Sequence, residues 1–224
     1  MTEMTEEALR AAMIAGCRAL NAQGINQGTS GNISLRLAGR ILITPSGIPY
    51  DDMMPATIAS RDLVAEDGAV WQGPERPSSE WPFHVKLLRA RPEMAAVVHA
   101  HPPHATALAM ARMEIPACHY MVAAFGGNSV RCAGYATFGT AALADLALEA
   151  LQDRSACLLA NHGCIALGES LDRALWRMVE LEALARQYLL SLQADGPVLL
   201  SDSDIEETLR LFEDYGPKDG VCEV

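Results

Sequence analysis

Val97-Val98-His99-Ala100-His101 runs directly into Pro102-Pro103. The β-branched and small residues leading into it predict a strand, and the two prolines, which lack a backbone N–H, end it. Side chains alternate along a strand, so His99 and His101 share one face, about 7 Å apart at the backbone. Two imidazoles at one strand end fit either a pair of half-buried histidines or half of a metal site. The second reading needs a further ligand from elsewhere in the chain.

The flanking segments offer such ligands. Upstream, Pro77-Ser78-Ser79-Glu80-Trp81 opens a helix that runs to Arg89 or Ala90. Ser78 or Ser79 is the expected N-cap, and the free N–H groups of the first turn can receive an anion. Glu80 falls in that first turn, where a purely structural acid is equally at home. Downstream, the continuous apolar run Cys157-Leu158-Leu159-Ala160 predicts a strand buried on both faces. It delivers Asn161-His162-Gly163 at its end, and Cys164 to Gly168 returns as another strand. His99, His101 and His162 with one carboxylate make a sound zinc set, since neutral imidazoles leave the ion its charge and an open position. Of the other histidines, His84 on the helix after Glu80 reads as packing or surface. His104, after the double proline, reads as a cap or support, and His119 beside Tyr120 carries no assigned role.

Toward the N-terminus, Thr5-Glu6-Glu7 starts a helix with a buried stripe of Leu9, Met13, Cys17 and Leu20, ended by Asn21 to Gly24. The loop Asn26-Gln27-Gly28-Thr29-Ser30-Gly31-Asn32 follows, then strands over Ile33 to Leu37 and Ile41 to Thr44 joined by a turn at Gly39. Glycines let backbone N–H groups approach an anion, and Thr, Ser and Asn add donors. That loop is either an ordinary helix-to-strand connection or, with the second turn Pro45-Ser46-Gly47, one side of a cradle. A hairpin is expected between Thr57 and Trp71 around Asp67-Gly68. Further on come a short helix from His104 to Arg112, a Pro-broken loop holding His119-Tyr120, and an irregular stretch around Gly126-Gly127 and Gly134. A helix capped by Thr140 reaches Leu151, the longest helix spans Ser170 to Leu192, and a last one spans Asp202 to Phe212. Alternating helices and strands without repeat, low-complexity run or linker read as a single domain.

Bulk properties narrow the partners. A chain of 224 residues can bury one full core. Half of it is apolar and only 5% aromatic, so that core is built from Ala, Leu, Val and Met. A formal net charge of −11 argues against nucleic acid and anionic membrane as general partners. It leaves room for an anionic small substrate, because a metal and backbone amides make a pocket locally positive. The cysteines show no C-x-x-C pair, the N-terminus is acidic, and no run of about 18 apolar residues occurs. A soluble cytoplasmic protein with reduced thiols is the expectation.

Several separated motifs resemble one family. Gln27-Gly28-Thr29-x-Gly31-Asn32-x-Ser34, Ile43-Thr44-Pro45-x-Gly47, Pro77-Ser78-Ser79-Glu80, His99-x-His101 and His162-Gly163 are similar to the class II aldolase and adducin-head family. Within it, Ile43 to Tyr50, His119-Tyr120-Met121, Gly126-Gly127-Asn128-Ser129 and Tyr135-Ala136-Thr137-Phe138-Gly139 most resemble the L-fuculose-1-phosphate aldolases. The resemblance runs from the first helix to Gly216.

It implies an α/β fold over 1–224: a three-layer α/β/α single domain with a mostly antiparallel central sheet and a mobile C-terminal tail from about 216. It implies Zn2+, or another divalent metal, on Glu80, His99, His101 and His162, with Glu80 moving off to act as acid/base. Gly31, Asn32, Ser46, Gly47, Ser78 and Ser79 match phosphate-binding positions. Tyr120 matches a tyrosine from a neighbouring subunit of a homotetramer, and Tyr215 one in the tail. The implied activity is that of a carbon–carbon lyase, a class II aldehyde-lyase. It would cleave L-fuculose 1-phosphate, 5-deoxyribulose 1-phosphate or 5-methylthioribulose 1-phosphate to dihydroxyacetone phosphate and a short aldehyde. A pentulose 5-phosphate 4-epimerase is the alternative, although such enzymes generally carry Asp where Glu80 stands. The family also contains a sugar-phosphate dehydratase of methylthioribose salvage and non-catalytic adducin-like scaffolds, which tend to lose the metal histidines.

Overall fold

The computed structural model describes residues 5–66 and 68–214. Helix α1 (Glu6–Ala22) starts where its cap predicts, with Thr5 Oγ1 accepting the Ala8 N–H at 3.2 Å. Strands β1 (Asn32–Leu37), β2 (Arg40–Ile43) and β3 (Ala59–Asp62) follow, then α2 (Trp81–Ala90), β4 (Ala96–Ala100) and α3 (Pro103–Met110). The second half holds β5 (Cys132–Ala133), α4 (Ala141–Ala150), β6 (Ala156–Leu159), β7 (Gly163–Gly168), α5 (Leu171–Leu192) and α6 (Asp202–Asp214).

The strands form one sheet in the order β3-β2-β1-β4-β7-β6-β5, antiparallel throughout except where β5 runs parallel to β6. Strand alternation sorts its side chains into two cores. Val97, Ile165, Leu167, Cys157 and Leu159 pack with Phe83, Leu87 and Leu88 of α2 and Leu143 and Ala147 of α4. Val98, Ala100, Cys164, Ala166 and Leu158 pack on the other face, against α1, α3 and α5. The result is the expected three-layer α/β/α arrangement with a mostly antiparallel sheet. Register then places the chemistry: Asn32 on β1 pairs with His99 on β4, and His99 pairs with Ile165 on β7. Among the described residues no helix is long and apolar enough to cross a membrane.

Local departures have physical causes. Helix α2 begins at Trp81, later than predicted, with Glu80 in the N-cap position and neither serine capping it. The Ser78 N–H is already committed to the Thr44 carbonyl at 3.0 Å, which keeps Pro77-Ser78 extended alongside the end of β2. Strand β4 starts only at Ala96, because the Met94 N–H turns back to the Arg91 carbonyl. The Thr57–Trp71 hairpin reduces to β3 and a single bridge between Ser60 and Gln72. Its turn is closed by the Ala69 N–H on the Glu66 carbonyl at 2.9 Å, while Asp67 lies outside the described residues. The stretch read as irregular contains β5, and Tyr120–Phe125 is a 3-10 helix.

Candidate active site

The end of β4 and the β6–β7 turn bring three histidines together. His99 is fully buried, and its Nδ1 lies 2.9 Å from the Cys164 carbonyl. A carbonyl only accepts, so Nδ1 carries a hydrogen and Nε2 faces the site. His101 is the first residue beyond β4, and its backbone N–H donates to Asn26 Oδ1 at 2.9 Å. His162 follows Asn161, whose left-handed backbone (φ 55) turns the chain from β6 into β7. Arg112 Nε holds that asparagine by donating to Oδ1 at 3.1 Å. The ligand atoms of His99, His101 and His162 all lie within 4.8 Å of one another, and the Nε2 atoms of His99 and His101 are 3.0 Å apart.

Glu80 enters the same cluster from the start of α2. Its Oε2 is 3.1 Å from His99 Nε2, and its Oε1 is 3.2 Å from His162 Nε2. Oε2 also accepts the Asn32 Nδ2 hydrogen at 2.9 Å, whereas the buried Oε1 has no well-directed hydrogen bond. Burial alone would raise the Glu80 carboxyl. The charge interaction with His99 and the contacts with His162 and His99 outweigh it and hold the group well below the usual carboxylate range. His101 is pushed down to about 4, first by burial and then by His99 and His162, so it stays neutral. Imidazole nitrogens and a carboxylate with an orphaned oxygen converge on one point. That donor set fits a divalent cation, which satisfies all of them at once.

A cavity of about 360 Å³ opens in front of this cluster. Gly31, Asn32, Ser46, Gly47, Ser78 and Ser79 all line it, together with Glu80, His101 and His162. Its walls therefore join the two turns and the start of α2, as the cradle expectation requires. His99 stands behind the wall. Tyr120 does not line the cavity: it lies on the 3-10 helix and is 53% exposed. Tyr215 and the tail from 216 lie outside the described residues.

Other features were not assigned from the sequence. Tyr135 and Phe138, 58% and 63% exposed, form an aromatic edge of the cavity, and they fall in a motif already singled out for the resemblance. His84 is neither surface nor simple packing, for it is fully buried and hydrogen-bonded to Ser34 and Asn32. Its spacing of four from Glu80 on one helix was the available signal. His104, read as a cap or a support of the site, lies at the start of α3. Glu182 of α5 accepts the N–H groups of His104 and Ala105 and pairs with His104 Nδ1 at 2.6 Å, capping α3. His119 Nδ1 accepts the Met121 N–H and caps the 3-10 helix.

Comparison with known proteins agrees with this geometry. Residues 11–189 match the model of the Class II Aldolase and Adducin N-terminal domain. The chain is 47% identical over 209 residues to a 5-methylthioribulose-1-phosphate/5-deoxyribulose-1-phosphate aldolase of Rhodospirillum rubrum, covering 93% of each chain. It is 44% identical over 214 residues to the L-fuculose phosphate aldolase of Escherichia coli K12, covering 95% of this chain and 98% of that one. A solved L-fuculose 1-phosphate aldolase superposes with a TM-score of 0.89 at 35% identity, over 95% of this chain and all of the other. Fold, clustered histidines and relatives thus converge: the chain belongs to the class II aldolase and adducin N-terminal domain family and is a class II aldolase, a lyase.

Proposed function

We propose that this protein is a zinc-dependent aldolase acting reversibly on a deoxyketose 1-phosphate: L-fuculose 1-phosphate, 5-deoxyribulose 1-phosphate or 5-methylthioribulose 1-phosphate. The products are dihydroxyacetone phosphate and a short aldehyde. The observation that carries this reading is the convergence of three histidines and Glu80 at one end of a cavity whose other walls are small hydrogen-bonding turns.

His99, His101 and His162 would hold the ion, with Glu80 as a further ligand in the resting enzyme. When bound, the ion supplies Lewis acidity, a sink for the charge released beside a ketone. Gly31, Asn32, Ser46, Gly47, Ser78 and Ser79 bind the substrate phosphate, and that binding, remote from the reacting bond, fixes orientation. As the bond between C3 and C4 breaks, the C4 hydroxyl must lose a proton and C3 must gain one. Glu80, ionised while it faces the histidines, takes up a proton from solvent on leaving them and delivers it to C3. Tyr120 of a neighbouring subunit, directly or through water, accepts the proton from the C4 hydroxyl, with Tyr215 as a further catalytic residue. A homotetramer with sites shared between subunits is part of this reading, supported by the exposure of Tyr120 away from its own cavity. So is cytoplasmic residence, supported by five unpaired cysteines among the described residues.

The test is a coupled assay for dihydroxyacetone phosphate release from the three ketose 1-phosphates, with and without a chelator. Release that a chelator abolishes and zinc restores is expected, and the ranking of kcat/KM names the substrate. No release from any of the three with zinc present would overturn the reading in favour of an epimerase or dehydratase.

A further inference from the structure

His84 lies on α2, one turn beyond Glu80, against the face of β1 that carries Asn32 and Ser34. Its Nδ1 is 2.7 Å from Ser34 Oγ, and its Nε2 is 2.5 Å from Asn32 Oδ1. Asn32 Nδ2 is in turn 2.9 Å from both Ser78 Oγ and Glu80 Oε2. For a neutral imidazole these contacts admit one arrangement of hydrogens. The Glu80 carboxylate only accepts, so Asn32 presents its amide N–H groups to Glu80 and Ser78, and its carbonyl oxygen points back at the imidazole. That oxygen also only accepts, so His84 carries its hydrogen on Nε2. The remaining nitrogen, Nδ1, is a lone pair that receives the Ser34 hydroxyl hydrogen. Burial pushes His84 down to about 3, so the ring is neutral as this arrangement requires.

We propose that His84 is a positioning residue. By donating to Asn32 Oδ1 it fixes the orientation of an amide that serves Glu80 with one hydrogen and the phosphate-side Ser78 with another. An asparagine deprived of that donor would flip freely, and the flipped form sets a carbonyl oxygen against the Glu80 carboxylate. One imidazole thus keeps the acid/base group and the phosphate cradle in register. The inference rests on the assignment of Glu80 and Asn32 in the proposed function.

Two substitutions separate positioning from packing. Glutamine places an N–H near the imidazole Nε2 and keeps the donor to Asn32, whereas asparagine is too short to reach it. His84→Asn should weaken calorimetric binding of inorganic phosphate and lower kcat, each at least about tenfold, the scale of one lost hydrogen bond in a charged network. His84→Gln should restore phosphate affinity to within about twofold of wild type. Nitrogen-15 histidine spectra of the metal-loaded protein should show His84 protonated on Nε2 and constant in shift from about pH 6 to 8. A hydrogen on Nδ1, titration in that range, equal losses in both variants, or no loss in either would overturn the proposal. If wild-type protein released no dihydroxyacetone phosphate from any ketose 1-phosphate, the functional reading would fail. The tautomer and the phosphate affinities would still decide the role of His84.

Discussion

Gly31→Ala puts the geometry of the site under direct strain. Gly31 has φ +78, a left-handed conformation that costs an L-residue about 1–2 kcal/mol. A Cβ there would stand 2.5 Å from Asn26 Nδ2 and 2.6 Å from the His99 carbonyl oxygen. The first contact is with a side chain whose Oδ1 holds the backbone of His101, and the second is with the backbone of His99 itself. Neither can yield without moving a histidine of the cluster, and overpacking of this kind adds about 1–3 kcal/mol. Gly28→Ala is the matched control. Its φ is +60, yet a Cβ there meets nothing within 4 Å, so it bears the backbone penalty alone. For a chain of this size 1 kcal/mol shifts Tm by about 2–4 °C, so Gly31→Ala should melt roughly 2–12 °C below Gly28→Ala. Calorimetry on the zinc-loaded variants measures that gap, and competition with a chelator should show weaker zinc binding in Gly31→Ala alone. Equal melting points and equal zinc affinity in the two variants would refute the argument.

Three further outcomes are expected. Glu80→Gln should fold normally yet lose at least about 10²-fold in turnover, the low end for a positioned acid/base group, and near wild-type turnover in steady-state assays would remove that assignment. Glu182→Ala should lower urea-unfolding stability by about 2 kcal/mol, because it strips three hydrogen bonds from the start of α3, whereas Glu182→Gln keeps an accepting oxygen and should lose less. Acid should destabilise the fold partly through His84. The folded ring resists protonation down to about 3 while the unfolded chain protonates near 6.5, so this contribution is full above about pH 6.5 and declines as pH falls toward 3. At 1.36 kcal/mol per unit the loss reaches about 2 kcal/mol near pH 5, and His84→Gln should flatten the urea-derived stability curve over that interval. Parallel curves for the two proteins would contradict it.

Much of this architecture was legible because it is local or strictly periodic. Thr5 and Thr140 each cap the helix their sequence context announces, Ser170 caps the helix read as starting at it, and the apolar run at Cys157 is buried on both faces as its composition requires. The metal-ligand candidates were legible because strand alternation and turn chemistry fix where His99, His101 and His162 point. What escaped is set by tertiary competition. Ser78 has the composition of a cap, but its hydroxyl accepts the amide hydrogen of Asn32 at 2.9 Å, from far away in sequence, and the helix starts later. Strand β5 is two residues long and exists only because β6 lies beside it. His84 was opaque for the same reason, since its partners Ser34 and Asn32 sit on another element. A lone histidine on a helix does not reveal that an asparagine amide is waiting above it.

The pairing of β4 with β7 carries a consequence for how the protein assembles. His101 and His162 flank β4 and β7, strands that adjoin in the sheet but are separated in the chain by β5, β6, α3 and α4. Closing that loop has to precede capture of an ion, because neither strand end alone offers enough ligands to hold one. Metal uptake should therefore come late in folding and report on the most distant strand pairing in the sheet. A bound ion would act as a clasp: it would draw no strands together, but once they had met it would slow their parting.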